Sequence, residues 1–149
     1  MSPSFKERTP WPIWLWLFLL FLAGSLSLAI WAALGNSWAL ISTLVQFLGL
    51  LYLSQSTVLA ISVDEDSLHV GNATLERRYI TALTPLSASE MAKIRGPLAN
   101  PSAYLALRFW ISTGVKIEFS DPHDQTPYWL VSSKKAHQLA DALIKPSAA

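Results

Sequence analysis

At 149 residues, with 52% hydrophobic side chains, a net charge of +1 and no cysteine, the chain has room for one compact unit plus a segment that absorbs excess apolar residues. The lack of cysteine excludes disulfides, thiolate metal sites and a cysteine nucleophile. The apolar excess is confined to residues 9–63, which hold no Asp, Glu, Lys or Arg, whereas residues 64–149 carry nine acidic and nine basic side chains. That balance, with Arg77-Arg78 and Lys134-Lys135 as isolated basic pairs, lacks the electrostatic footprint of a nucleic-acid binder, so nucleic acid is not an expected partner.

Residues 1–10 read as a short N-terminal cytoplasmic segment containing Lys6, Glu7 and Arg8. Residues 11–56 then read as a transmembrane helical hairpin. Its first span, 11–33, is long enough at about 1.5 Å per residue to cross a hydrocarbon core of about 30 Å. Trp11, Trp14 and Trp16 at one end and Trp31 near the other suit the headgroup layers, and Pro10 and Pro12 fall where a missing N–H costs little. Gly35-Asn36-Ser37 supplies a turn, and 38–55 returns as the second span.

Small and polar residues recur at helical spacing on both spans: Gly24 and Ser27 on the first, Ser42, Gln46 and Gly49 on the second. They mark the expected packing face. Gln46 has two readings, glue between the helices or a polar contact in a transport path. Lys6 and Arg8 before an apolar run also suit a signal peptide, but the run is long for one, no convincing small-x-small cleavage site precedes Leu34, and a second span follows at once. Basic residues precede the first span and none lies in the turn, so both termini are expected in the cytoplasm of a multi-pass plasma-membrane protein.

After residue 56 the pattern changes to short β-type segments at 57–63, 68–70, 73–76 and 79–83, punctuated by Asp64-Glu65-Asp66 and Gly71-Asn72. Ser87 with Glu90 three residues on forms a capping box for a helix over 87–95, which Gly96-Pro97 ends. A hairpin of strands 104–110 and 115–119 is predicted around Ser112-Thr113-Gly114, with a last strand at 128–132. Alternation buries Val115, Ile117 and Phe119 and exposes Lys116 and Glu118. Residues 134–144 form an amphipathic helix with Leu139, Ala140, Leu143 and Ile144 on one stripe.

The expected fold class is therefore an α+β membrane protein: a two-helix hairpin, then a mostly β domain over 57–145 with a C-terminal capping helix and a tail at 146–149. This order of strands, helical insertion, strands and terminal helix looks like a small pleckstrin-homology-type barrel, an analogy that carries no function.

Candidates for chemistry are few. Asp121, His123 and Asp124 suit metal ligation or acid/base work in principle, but Asp-Pro-His-Asp between strands is ordinary turn chemistry. His69, His123 and His137 stand apart in the sequence. No phosphate loop, nucleophile elbow or zinc helix is present, so no catalytic residue, metal or cofactor is expected. Arg108, in an apolar stretch, is either paired internally with Asp121, Asp124 or a carbonyl, or available to an anionic headgroup or a partner's carboxylate. Trp110, Tyr128 and Trp129 are candidate contact residues, since Tyr128 and Trp129 point to opposite faces of one strand and one ring is expected to be exposed.

Two spans followed by Arg95-Gly96, by Asn100-Pro101-Ser102-Ala103-Tyr104-Leu105-Ala106-Leu107-Arg108-Phe109-Trp110, and by Asp121-Pro122-His123-Asp124-Gln125-Thr126-Pro127-Tyr128-Trp129-Leu130-Val131-Ser132-Ser133 resemble the actinobacterial membrane proteins grouped as "domain of unknown function 3093". The resemblance covers nearly the whole chain, and Asn100 and Gln125 stand where Asp and Pro are expected in that family. It implies no known reaction. The expected role is a membrane-anchored accessory or scaffold protein whose partners are the bilayer and a membrane or envelope protein. Recognition of an anionic lipid headgroup by Arg108 with Arg77, Arg78 or Lys116 is the alternative; a membrane enzyme or transporter component is less favoured because neither span holds an ionisable residue.

Two ion-free spans predict that the intact chain sediments with membranes and stays there through alkaline carbonate washing. A folded, monodisperse polypeptide in the surfactant-free supernatant is the contrary result.

Overall fold

The computed structural model describes residues 5–144 and divides the chain into a helical hairpin, Pro10–Val58, and a β unit made of residues 5–9 with 59–144. The expected tail at 146–149 lies outside the described residues, as do residues 1–4.

In the hairpin, α1 (Ile13–Leu34) and α2 (Asn36–Ser56) are joined by Gly35 alone. Its φ of +85° lies in the region that favours glycine. Gly35 N–H donates to the Trp31 carbonyl at 3.0 Å, and its own carbonyl accepts from Ala39 N–H at 3.2 Å, so one residue both closes α1 and opens α2. The expected three-residue turn is shortened for that reason. At the other end Pro12 is the extended residue before α1, and Trp11 Nε1–H donates to Thr57 Oγ1 at 2.7 Å, tying the two open ends of the hairpin together.

The seam between the helices differs from expectation. Ser27 Oγ accepts from Thr43 Oγ1 at 2.9 Å and from Gln46 Nε2 at 3.2 Å, whereas the Ser42 hydroxyl donates to Ala39 of its own helix at 3.0 Å. A Cβ added at Gly24 or Gly49 meets no heavy atom within 4 Å, so neither glycine allows close approach inside the hairpin. Leu19, Ala23 and Ser27 are half-buried at i, i+4 spacing on α1, which leaves Gly24 about 100° round the helix from that line. Both helices are long and apolar enough to cross a membrane, and Leu15 and Ser54 are their buried residues. Phe21 at 70% exposed and Leu40 at 72% typify a surface that water tolerates poorly.

The β unit begins with a strand that the sequence reading missed, β1 (Phe5–Thr9). Phe5, Glu7 and Thr9 face inward and Lys6 and Arg8 outward, but with a carboxylate and a hydroxyl on the inward face the alternation reads as a polar leader. β1 pairs antiparallel with β2 (Leu59–Val63), from Phe5↔Val63 to Thr9↔Leu59, so the hairpin is inserted between two neighbouring strands. β3 (Ser67–Val70) and β4 (Ala73–Glu76) complete one antiparallel sheet in the order β1-β2-β3-β4.

The second sheet takes the order β5-β7-β8-β6, from β5 (Ile80–Leu86), β6 (Tyr104–Ala106), β7 (Gly114–Phe119) and β8 (Tyr128–Ser132). The predicted 104–110/115–119 hairpin does not form. β5 and β8 occupy both edges of β7, and β6 pairs parallel with β8 through Leu105↔Leu130. The chain leaves the sheet after Ala106 because Arg108 N–H is spent on the Ser132 hydroxyl at 3.1 Å and Ile111 N–H on the Arg108 carbonyl at 3.0 Å.

Ile61, Val63, Leu68 and Val70 of the first sheet and Val115, Ile117, Trp129 and Val131 of the second share one core with Leu139 and Leu143 of α4 (Ala136–Ile144). α4 packs against β1 and β2 as well as β5 and β7. Among the described residues the two sheets share no ladder, so they do not close into the expected barrel.

The opposite face of the second sheet is covered too. α3 (Ala88–Arg95) carries the expected capping box, with Ser87 N–H donating to Glu90 Oε2 at 2.8 Å. The Ser87 hydroxyl, and then its backbone N–H, hold the Glu90 carboxyl below its usual range. This capping contribution is therefore present near neutral pH and is lost as acidification protonates Glu90. Met91 of α3 is fully buried with Leu86, Tyr128 and Leu130. β8 is consequently buried along its whole length on both faces.

Gly114 sits where α3 and β8 converge. A Cβ there meets the Val131 carbonyl oxygen closer than real side chains allow and reaches 2.7 Å from Met91 Cε. Gly114→Ala is expected to destabilise the β unit by about 1–3 kcal/mol, read as a lower denaturation midpoint of the detergent-solubilised chain; an unchanged midpoint contradicts this packing.

Candidate interaction surface

Which cations and rings can meet a partner depends on what the fold already uses. The N-terminus of α4 is held by Glu7, which is 7% exposed: Oε2 accepts from the Ser133 hydroxyl at 2.5 Å and Oε1 from Lys134 N–H at 2.9 Å. Ser133 Oγ in turn accepts from Lys135 N–H at 3.0 Å. At the other end of α4, Arg77 Nη2 donates to the carbonyls of Ala142 and Leu143 at 3.0 and 2.8 Å, while Nη1 reaches those of Asp64 and Glu65 at 3.2 and 3.1 Å. Glu7 holds the residues that lead into α4, and the guanidinium at its last turn complements the helix macrodipole.

Arg77 is thus a structural clamp. Arg78 is paired with Glu76 at 2.6 Å and lies 4.7 Å over the Tyr79 ring. Lys116 meets Glu118 at 2.5 Å and stands 4.8 Å over the Tyr128 ring. Arg108 is half-buried and donates from Nη1 to the carbonyl of its neighbour Leu107 at 2.8 Å. Asp121 and Asp124, the acidic partners foreseen for it, accept from the backbone N–H groups of His123 and Thr126 at 2.8 and 2.9 Å. Those bonds are the turn chemistry of the 121–126 loop. Among the described residues no three His, Cys, Asp or Glu side chains gather to hold a metal.

His69 is better connected than its isolation in sequence suggests. Nε2 lies 3.0 Å from both Asp64 Oδ2 and Ser67 Oγ, and Nδ1 lies 2.9 Å from Thr74 Oγ1 across the β3–β4 pair. The acid and Ser67 meet the same ring nitrogen, and the His69 and Asp64 side chains are 40% and 47% exposed, so the group reads as a solvated network rather than a water-excluded nucleophile relay.

Tyr128 and Trp129 depart from expectation together. At 9% and 5% exposed both are buried, because the strand has a core on each side: Trp129 joins the core between the sheets and Tyr128 the one beneath α3. Trp110 is half-buried and packs edge-on against Phe109 with ring centroids 4.9 Å apart.

Exposed large apolar side chains of the β unit are Ile144 on α4, which departs from the stripe expected for it, and a group on the stretch from α3 to β7. Leu98, Leu105 and Phe109 are 67%, 49% and 68% exposed. Leu105 and Phe109 are expected as strand residues beside a buried position; Leu105 does lie in β6 but on the edge strand of its sheet, half exposed, while the departure of the chain after Ala106 turns Phe109 outward. Gly96-Pro97 and Asn100-Pro101, which break regular structure twice in a few residues, were the available signal.

Arg77→Ala is expected to destabilise the β unit by about 2–3 kcal/mol, with Arg77→Lys recovering only part because the planar fork that reaches two turns at once is lost. Tryptophan fluorescence during denaturation checks this, and equal stability of all three proteins contradicts the clamp.

A family model described as a protein of unknown function (DUF3093) matches residues 4–143. No curated protein and no solved structure matches the chain.

Proposed function

We propose, for a chain that belongs to the DUF3093 family of proteins of unknown function, a non-enzymatic accessory role at the cytoplasmic membrane. The hairpin is the anchor, and the β unit offers its 96–111 connection to a membrane or envelope protein. The observation that carries this reading is the exposure of Leu98, Leu105 and Phe109 together on one stretch of the β unit, where Arg77, Arg78 and Lys116 are engaged internally.

Several features support the membrane part. Three residues link β1 to α1 and two link α2 to β2, so a partner in the same membrane meets the β unit at high effective concentration. Pairing of β1 with β2 favours both termini on one side of the bilayer, and Lys6 and Arg8 favour the cytoplasmic side. Two sheets with a terminal helix against strands of both support a pleckstrin-homology-like build without barrel closure. The alternative, an anionic headgroup, has less support, since Arg77, Arg78 and Lys116 are each engaged within the β unit.

The test is a photo-crosslinking amino acid at position 109 of the full chain in its native membrane, with exposed position 138 as control. A discrete adduct from 109 alone, weakened about tenfold or more by Leu105→Ser, is the expected outcome. Matching adduct patterns from both positions would remove the support for this surface.

A further inference from the structure

We propose that two copies of the hairpin associate within the bilayer, groove to groove, through Gln46; this rests on the membrane reading above. Two grooves run along the α1–α2 seam, and Gln46 borders both. One, of about 190 Å³, is lined by Leu20, Gly24, Ser27, Thr43, Gln46 and Phe47 together with neighbouring apolar residues. The other, of about 310 Å³, runs past Leu22, Leu26, Gly49 and Leu53.

A side-chain amide offers two donor hydrogens and a carbonyl oxygen with two lone pairs. Within the hairpin Nε2 donates once, to Ser27 Oγ at 3.2 Å, and among the described residues no donor reaches Oε1. Acyl chains supply no hydrogen-bond partner for the rest of that amide. A partner helix has to bring a donor and an acceptor to the same depth. A second copy does so by construction: two Gln46 side chains related by a twofold axis exchange N–H···O=C bonds in an isologous contact.

The smaller groove is the side that admits such a copy. The open space around the Gly24 Cβ position lets a helix backbone approach there, and Ser27, itself bonded to Thr43, meets the Gln46 amide from within the hairpin. An acyl chain is the competing occupant, and it leaves the carbonyl without a donor.

The natural chain has no cysteine, so single cysteines report proximity directly. In full-length protein reconstituted at low density in phosphatidylcholine–phosphatidylglycerol vesicles, oxidation of Phe47→Cys is expected to give a disulfide-linked dimer. Val45→Cys, 64% exposed and bordering neither groove, is expected to give at least about tenfold less for lack of proximity. Counting photobleaching steps of protein labelled at Gln138→Cys, Gln46→Leu should weaken association by about five- to thirtyfold. Ser27→Ala, which removes the internal acceptor but keeps the amide, should retain the dimer. Equal disulfide yields at 47 and 45, equal losses in Gln46→Leu and Ser27→Ala, or a carbonate-resistant monomer with lipid in the groove overturns the proposal alone. Release of the chain by carbonate overturns it together with the membrane reading, so the two failures are distinguishable.

Discussion

The ladder between β1 and β2 joins residues that lie up to 58 positions apart, with Thr9 Oγ1 donating to the Leu59 carbonyl at 3.1 Å where the hairpin enters and leaves. A disordered loop of about fifty residues would oppose that ladder with a length-dependent entropy of about 3–4 kcal/mol. Here the intervening segment is itself two antiparallel helices on a one-residue turn, whose open ends already lie together at Trp11 and Thr57. The helices thus reduce the closure cost of the sheet. The edge strand of the sheet depends on an element of entirely different solvent preference.

The same edge strand is coupled to the far end of the chain. Glu7 is buried and is satisfied by the Ser133 hydroxyl and the Lys134 N–H, while Arg77 closes the other end of α4. A buried carboxylate is costly unless its oxygens are hydrogen-bonded, and the segment that leads into α4 supplies both donors.

The hairpin, the capping box at Ser87 and Glu90, the alternation of Val115, Ile117 and Phe119, and the strand at 128–132 were legible in the sequence because each is governed by local chemistry or by one periodicity. What escaped notice depends on long-range partners. β1 is a strand because β2 and α4 satisfy its Glu7 and Thr9, and β6 turns parallel because β5 has already taken the free edge of β7. Tyr128 and Trp129 point to opposite faces of one strand, which leaves one ring exposed in a sheet covered on one face; here α3 covers the other. For the candidate surface, composition identified 104–110 as apolar, but which side chains point outward followed from where the chain leaves the sheet.

Gly35 carries a consequence of its own. With helix on either side of a single linking residue, the closed tip of the hairpin has no loop of the length needed to hold a ligand or a protease recognition sequence without unwinding a turn of α1 or α2.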